Sequence, residues 1–233
     1  MLLAIVPAHN EEKNIGSVVR NLFGHPASLG SCAGQIVDKV VVVDDGSTDN
    51  TAVIAREAGA VVLLHKINRG QGAALQTGHD YALNCGADYV LHFDGDSQFD
   101  VSDIKPALEE IQRKNVDVLL GSRFLGKEAN IPAFKKNIIF PVARVFNRVF
   151  GGIDLTDVHN GFRILNRRAL ESVKITHDRM AHATEIIEQI KKHNLKHIEF
   201  PVRVVYREYG QGVEGGFVIL KDLILGRFIK KHW

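Results

Sequence analysis

The chain has 233 residues, 45% of them hydrophobic, with 29 Lys and Arg against 27 Asp and Glu for a net charge of +2. Such a chain can bury a sizeable core as one domain plus an appendage, and its near-neutral balance gives no reason to expect nucleic acid as a partner. Two cysteines, Cys32 and Cys85, make no disulfide framework and fit a reducing compartment; Met1–Pro7 has no basic region and too short an apolar run for a signal peptide, and no window approaches the ~20 apolar residues of a membrane span.

Leu2–Val6 is a short, fully apolar run ending at Pro7, the pattern of a buried parallel strand. Ile15, Val18, Val19, Leu22 and Phe23 recur at helical spacing after the acidic pair Glu11-Glu12, which predicts a helix over 11–23. Residues 24–38 hold Gly, Ser and Pro and read as a surface loop. Lys39–Val43 predicts a second strand, closed by Asp44-Asp45-Gly46-Ser47, with Ser47 or Asp49 placed to cap a helix over 49–58. Val61–Leu64 is a third strand, and Asn68–Gly72 opens a helix running to Asn84. Tyr89–Phe93 predicts a fourth strand, followed by a helix over 102–114 and a strand over Val116–Leu120. This alternation of strand and helix predicts a mostly parallel sheet covered on both faces.

In such sheets ligands bind beyond the carboxyl ends of the strands. Four polar sets fall there: Pro7–Glu11, Asp44–Ser47, Asn68–Gly72 and Asp94–Gln98. The last is the most informative, because Asp94-Gly95-Asp96 ends a buried strand abruptly. Carboxylates on alternate residues can converge on one point, and Gly95 lets the backbone come close to a ligand. Hard oxygen ligands of this kind suit Mg²⁺ or Mn²⁺. Taken alone, the tripeptide reads equally as an acidic turn capping the next helix. The glycines of 68–72 lack the third glycine of a dinucleotide fingerprint and the Lys-Ser/Thr of a phosphate loop, so they also read as backbone that lets a helix start close to the sheet. His65, His79, His92, His182 and His193 show no metal-site spacing with cysteine or acid, and no zinc site is expected.

Taken together, Val6–Glu12, Val42–Asp49, Asn68–Leu75 and Asp94–Gln98 match in order and spacing the family-2 inverting glycosyltransferases of GT-A fold. Gly121-Ser122-Arg123 and Asp157–Arg163 resemble the branch containing dolichol-phosphate mannose synthase and bacterial polyprenyl-phosphate glycosyltransferases. The resemblance spans about residues 2–210 and implies an α/β GT-A catalytic domain over 1–212, with a nucleotide-binding half to about 123 and an acceptor half over 124–212. Residues 213–233 would be an amphipathic, basic C-terminal tail. It implies further that Pro7, His9 and Glu11 line the base and ribose of a nucleotide-sugar, with Val43 and Asp45 against the base. Asp94, Gly95 and Asp96 would run along the ribose and diphosphate. Asp96 and Gln98 would bind Mg²⁺ or Mn²⁺, with Asp94 in support. Arg123 would lie at the phosphates or acceptor, and Asp157 would be the base or the carboxylate that orients the acceptor. Arg207 would bind phosphate from a late loop, and Arg163 and Glu185 would stand by the acceptor cleft. The late loop departs from the family pattern: Arg207–Val213 lacks the Ser and Lys that usually follow the Arg.

The implied reaction is transfer of a sugar from a nucleotide-sugar to a polyprenyl phosphate at the cytoplasmic, inner face of a membrane. A phosphate acceptor is already anionic, whereas a hydroxyl acceptor would require Asp157 as a true base. Transfer to a saccharide or glycolipid hydroxyl and non-catalytic nucleotide binding remain as alternative readings. A sugar-1-phosphate nucleotidyltransferase would want a basic Gly-rich loop after the first strand, where Pro7–Glu11 stands. Residues 133–150 carry four basic residues and no acid among large apolar ones, and 217–233 carry four against one. Either reads as an amphipathic surface for peripheral membrane contact, the tail also for a small integral membrane partner, or as a core helix with a solvated edge.

Overall fold

The computed structural model describes residues 1–24, 35–125 and 155–204. The segments 133–150 and 217–233, Arg207 and its loop, and the C-terminal helix expected there lie outside the described residues.

Seven strands form one sheet. They are β1 (Leu2–Ala8), β2 (Lys39–Asp44), β3 (Val61–Leu64), β4 (Tyr89–His92), β5 (Val118–Ser122), β6 (Arg163–Asn166) and β7 (His197–Pro201), in the spatial order β3-β2-β1-β4-β6-β5-β7. The helices are α1 (Ile15–Leu22), α2 (Thr51–Glu57), α3 (Gln71–Asn84), α4 (Ile104–Lys114), α5 (Arg167–Ser172) and α6 (His182–Lys192). Side chains alternate between faces along each strand. Ala4, Val6, Val40, Val42 and Leu91 pack with α1 and α4 through Ile15, Val19, Ile104 and Ile111. Leu3, Ile5, Val41, Val43 and Val90 pack on the other face with Ala74, Leu75, Leu170, Ile186 and Ile190 of α3, α5 and α6. Two-sided burial explains why these strands read as continuous apolar runs.

Helix and strand boundaries differ from the sequence expectation in places. The first helix starts at Ile15 rather than residue 11, because Glu11 and Glu12 join the neighbouring loop instead of opening the helix. Glu11 N–H donates to Thr51 Oγ1 at 2.8 Å, and Glu12 Oε2 accepts from Asn50 N–H at 3.2 Å. The fifth strand runs Val118–Ser122, two residues later than expected. Asn115 ends α4 in the left-handed region (φ 49°), and Asp117 is spent as a turn anchor, accepting the Lys196 N–H at 2.8 Å. The cap of α2 comes from Asp49, whose Oδ1 accepts the Thr51 N–H at 3.0 Å.

The largest departure from simple alternation is β6, which lies antiparallel between β4 and β5. A reversed strand has its N-terminal end at the rim where its neighbours end. Arg163 therefore pairs with His92, and the segment 157–162 that leads into β6 is delivered beside Asp94. Without that reversal the Asp157–Phe162 motif would enter the sheet at the opposite edge from the other four polar sets.

Beneath the rim, on the α3 and α6 face, lies a buried histidine pair. His79 Nε2 and His92 Nε2 are 2.7 Å apart. One ring must donate through Nε2 and the other accept there, so the two are opposite neutral tautomers. Both Nδ1 atoms are buried without a hydrogen-bond partner. Burial pushes His79 down to about 4 from its ordinary 6.5 and His92 well below that ordinary value, and it also pushes His182 down to about 4. Between pH 6.5 and 4 the unfolded chain takes up protons that the folded chain refuses, so stability falls as pH falls through that window. For His79 alone the full loss is about 3 kcal/mol below pH 4. Asp94, pushed upward as described below, offsets part of it. Urea titrations at pH 7 and pH 5 are expected to show the lower stability at pH 5. In the double variant His79→Leu, His92→Leu that pH dependence flattens; an unchanged slope would show that the pair does not govern it.

Candidate active site

The rim is built from loops that lock one another in place. Asn10 adopts a left-handed backbone (φ 56°), which lets its amide donate to Ser47 Oγ at 2.9 Å while its side-chain oxygen accepts the Thr48 N–H at 2.9 Å. His9 Nδ1 lies 3.1 Å from the Asp45 carbonyl oxygen. Glu11 Oε2 accepts from Asn14 Nδ2 at 2.9 Å. Thus the first two polar sets, after β1 and β2, form one surface.

Asp45 is turned inward. Its Oδ1 accepts the Arg69 N–H at 3.0 Å and meets His65 Nδ1 at 2.7 Å; its Oδ2 accepts the Gly70 N–H at 2.6 Å. These donors hold its carboxyl below the ordinary range against the opposing effect of burial, the largest single influence on it. Both oxygens serve the 65–70 loop. Val43 is fully buried in the core and supports the rim from below. Of the residues expected around the base, Pro7, His9 and Glu11 lie on the rim surface itself, with Pro7 packed by its carbonyl against Gly95.

The acid pair stands at the end of β4. Burial first, then the charge of Asp96, pushes Asp94 up to about 6; Arg163, a hydrogen bond from Gln71 Nε2 at 2.9 Å and Arg123 pull it back. Asp96 is also raised by burial, and its Oδ1 accepts the Gln98 N–H at 3.0 Å across Ser97, a non-glycine residue at φ 63°. Two carboxylates that resist being charged together in a desolvated place are a site that a divalent cation would relieve. Among the described residues no three His, Cys, Asp or Glu side chains gather around one point. Two carboxylates, with the Gln98 amide expected beside them, would then be the donor set. Such a set fits Mg²⁺ or Mn²⁺ with positions left for substrate oxygens.

Opposite the pair lies an ion-pair node. Arg123 Nε donates to Asp157 Oδ2 at 2.7 Å, Arg123 Nη2 to Oδ1 at 2.8 Å, and the Arg123 N–H to Oδ2 at 3.1 Å. Asn160 Nδ2 adds a bond to Oδ2 at 3.2 Å. The Asp157 side chain is 3% exposed, and its neighbours Thr156 N–H and Thr156 Oγ1 are both held at 2.7 Å by Glu199. Arg163 is buried at 2% exposure below this node. Burial lowers its guanidinium to about 10, and the nearby charges of Asp94 and Asp157 keep it cationic.

Gly161 closes the gap between node and acid pair. A Cβ there would lie 2.2 Å from Asp94 Oδ2, so no side chain fits without moving the carboxylate. Gly161→Ala is expected to lower turnover about 100-fold with the fold intact, since misplacing a reacting group by about 1 Å costs that much. Steady-state kinetics with a melting curve checks it; wild-type turnover would show that Asp94 has room to move.

Glu185 is spent on a neighbouring loop, as described below. Gln71, Asn160, Gly161 and His65 were not singled out from sequence. The first three lie inside the quoted motifs, which was the available signal; His65 had none. The glycines of 68–72 face a different neighbour from the one expected. Gly72 abuts the His177 carbonyl, where a Cβ would come within 2.0 Å, and the glycine against the sheet is Gly78, beside Ile5.

The mostly parallel seven-stranded sheet with one reversed strand and helices on both faces is a GT-A fold. A family model described as "Glycosyl transferase family 2" matches residues 3–174, and the chain belongs to that family. It is 34% identical over 232 residues to the protein MJ1222 of Methanocaldococcus jannaschii, covering 96% of this chain and 91% of that one. It is 30% identical over 250 residues to the UDP-N-acetylglucosamine–dolichyl-phosphate N-acetylglucosaminyltransferase of Methanococcus voltae, covering 97% and 95%. Among solved structures, glucosyl-3-phosphoglycerate synthase of Mycobacterium tuberculosis with Mn²⁺ and UDP-glucose superposes with TM-score 0.65 at 18% identity, covering 96% of this chain and 76% of that one.

Proposed function

We propose that this glycosyltransferase moves a sugar from a nucleotide-sugar to a polyprenyl phosphate, with inversion, at the inner face of a membrane. The observation that carries the acceptor class is the state of Asp157. Both its oxygens are committed, to Arg123 and Asn160. A hydroxyl acceptor would need a carboxylate free to take its proton. A phosphate oxygen arrives ionised and needs orientation instead, which a locked Asp157–Arg123 node supplies. The dolichyl-phosphate acceptor in the name of the Methanococcus voltae relative supports the same class. No helix among the described residues is long and apolar enough to cross a membrane; for contact with the lipid, 133–150 and 217–233 are our candidates.

In the reaction the acceptor oxygen bonds to the anomeric carbon as the bond from that carbon to the diphosphate breaks. The electron pair leaves on the diphosphate, and no proton need move. Asp94, Asp96 and Gln98 would hold Mg²⁺ or Mn²⁺, which offsets the charge growing on the leaving diphosphate. Arg123 and Arg163 place positive charge on the same side of the site, Arg163 from beneath the surface. Pro7, His9 and Glu11 form the wall for the base and ribose, and Arg207 is our candidate for a further phosphate contact.

The test is a transfer assay with radiolabelled UDP-N-acetylglucosamine, UDP-glucose and GDP-mannose in millimolar Mn²⁺, offering dolichyl and undecaprenyl phosphates beside free saccharides. Label in the lipid phosphate fraction is expected. Label in saccharide alone would reassign the acceptor, and no transfer from any donor would remove the assignment.

A further inference from the structure

Glu185, on α6, is 8% exposed and fully engaged. Its Oε2 accepts the N–H groups of Thr176 and His177, both at 2.9 Å. Its Oε1 accepts the Thr176 hydroxyl and faces His177 Nδ1 at 3.1 Å. The carboxylate therefore acts on the strap 176–178; burial, the largest single influence, raises it, and these donors together outweigh burial and hold it below its ordinary range.

The strap in turn presses on the start of α3. The Ala73 N–H donates to the Asp178 carbonyl at 3.2 Å, and Arg69 Nη2 meets the Asp178 carboxylate at 3.2 Å. There is no space between them: a Cβ on Gly70 would lie 2.6 Å from the Asp178 carbonyl, and Gly70 itself requires φ 108°. From the other flank Asp45 takes the Arg69 and Gly70 amides. Two carboxylates, Glu185 through the strap and Asp45 directly, thus grip the first turn of α3. The first residue of that helix, Gln71, donates from Nε2 to Asp94 Oδ1 at 2.9 Å.

We infer that Glu185, the 176–178 strap and Gln71 form a relay that positions Asp94, with Glu185 and Gln71 as positioning residues for the donor site. A carboxylate at a strand end can rotate about its own side-chain bonds. The Gln71 amide fixes one oxygen and leaves Oδ2 at the gap beside Gly161. The relay explains why an acidic residue remote from the acid pair is buried and saturated. It rests on the reading of Asp94 as part of the donor and cation site.

The experiment is a double-mutant cycle on the full chain with Glu185→Ala, Gln71→Ala and both together. Two quantities are read: hydrogen exchange at the Gly70–Leu75 amides, and Mn²⁺-dependent binding of UDP and GDP by calorimetry. Glu185→Ala is expected to speed exchange at Ala73 about tenfold, as loss of a hydrogen bond to a charged group implies, while Gln71→Ala leaves exchange unchanged. Each single variant is expected to weaken nucleotide binding about tenfold, and the pair together no more than either alone, because they are links of one chain. Glu185→Gln, which keeps an acceptor for the two amides, restores binding. Losses that multiply in the double variant, or unchanged exchange at Ala73, would overturn the relay. If Glu185→Ala does not fold, Thr176→Val takes its place in the cycle with the same expectations. Absence of nucleotide binding by the unaltered chain would refute the donor-site reading itself, and the exchange data would still decide whether Glu185 holds α3.

Discussion

Asp96→Ala is expected to abolish metal-dependent sugar transfer, by at least about 1,000-fold at millimolar Mn²⁺, with a melting temperature equal to or slightly above that of the unaltered chain. The two halves of that expectation have one cause. Burial raises Asp96, and its charge contributes to raising Asp94, so the folded chain without a cation gains little from keeping it ionised. Its one side-chain hydrogen bond, to the Gln98 N–H, ties a short turn and no core element. Removing the carboxylate thus relieves repulsion while it removes a proposed ligand for the cation that would offset charge on the leaving diphosphate. Asp96→Asn, which keeps an oxygen donor and loses the charge, should fall between. Turnover of Asp96→Ala at the wild-type rate in millimolar Mn²⁺ would remove this residue from the cation site. A fall in melting temperature of more than about 5 °C would mean that the turn has a structural role not visible in its contacts.

Arg123→Ala is expected to damage both stability and turnover. Asp157 is 3% exposed and receives three of its four hydrogen bonds from Arg123, whose own side chain is 30% exposed. The backbone bond survives the substitution and the two guanidinium bonds do not, leaving a buried carboxylate with the Asn160 amide as its remaining side-chain partner in the node. Breaking one side of a buried pair costs about 3–5 kcal/mol, and the partial exposure of Arg123 places this case at or below the lower end. For a chain of this size that corresponds to a drop of roughly 5–10 °C in melting temperature. Turnover should fall about 100-fold or more, because in the proposed reaction the node would both orient the acceptor and add positive charge at the diphosphate. Arg123→Lys separates the two effects. It keeps a cation but not the planar fork, so it should recover part of the stability and little of the activity. Full activity in Arg123→Lys would show that charge alone suffices and that the two-pronged geometry is incidental.

Much of the fold and the outline of the site were legible in the sequence. Four apolar runs, each ended by a polar set, place β1 to β4 and their loops within a residue or two; for β1 and β2 the reason is burial on both faces, which leaves little room for polar residues along a strand. Since ligands in such sheets bind at the carboxyl ends, Asp94, Asp96 and the loops around them stand out as a candidate site from order alone. The motif Asp157–Arg163 was recognisable too, but only as a resemblance. Its neighbours in space depend on a strand of four residues running backwards, and nothing in its local pattern marks direction.

By itself, then, the sequence determined which residues form the sheet core and which loops carry polar groups, through side-chain periodicity and chain punctuation. Tertiary structure alone decided how those groups are shared. Asp45 and Glu185 are chemically as able to meet a ligand as Asp94 is, yet folding commits them to backbone amides of the 65–70 and 176–178 segments. Asp157 is locked by Arg123, while Asp94 and Asp96 are left short of compensating charge. The same carboxylate is an anchor, an ion-pair partner or a candidate ligand according to how many donors the fold brings within about 3 Å of it, and that number arises from contacts between segments far apart in the chain.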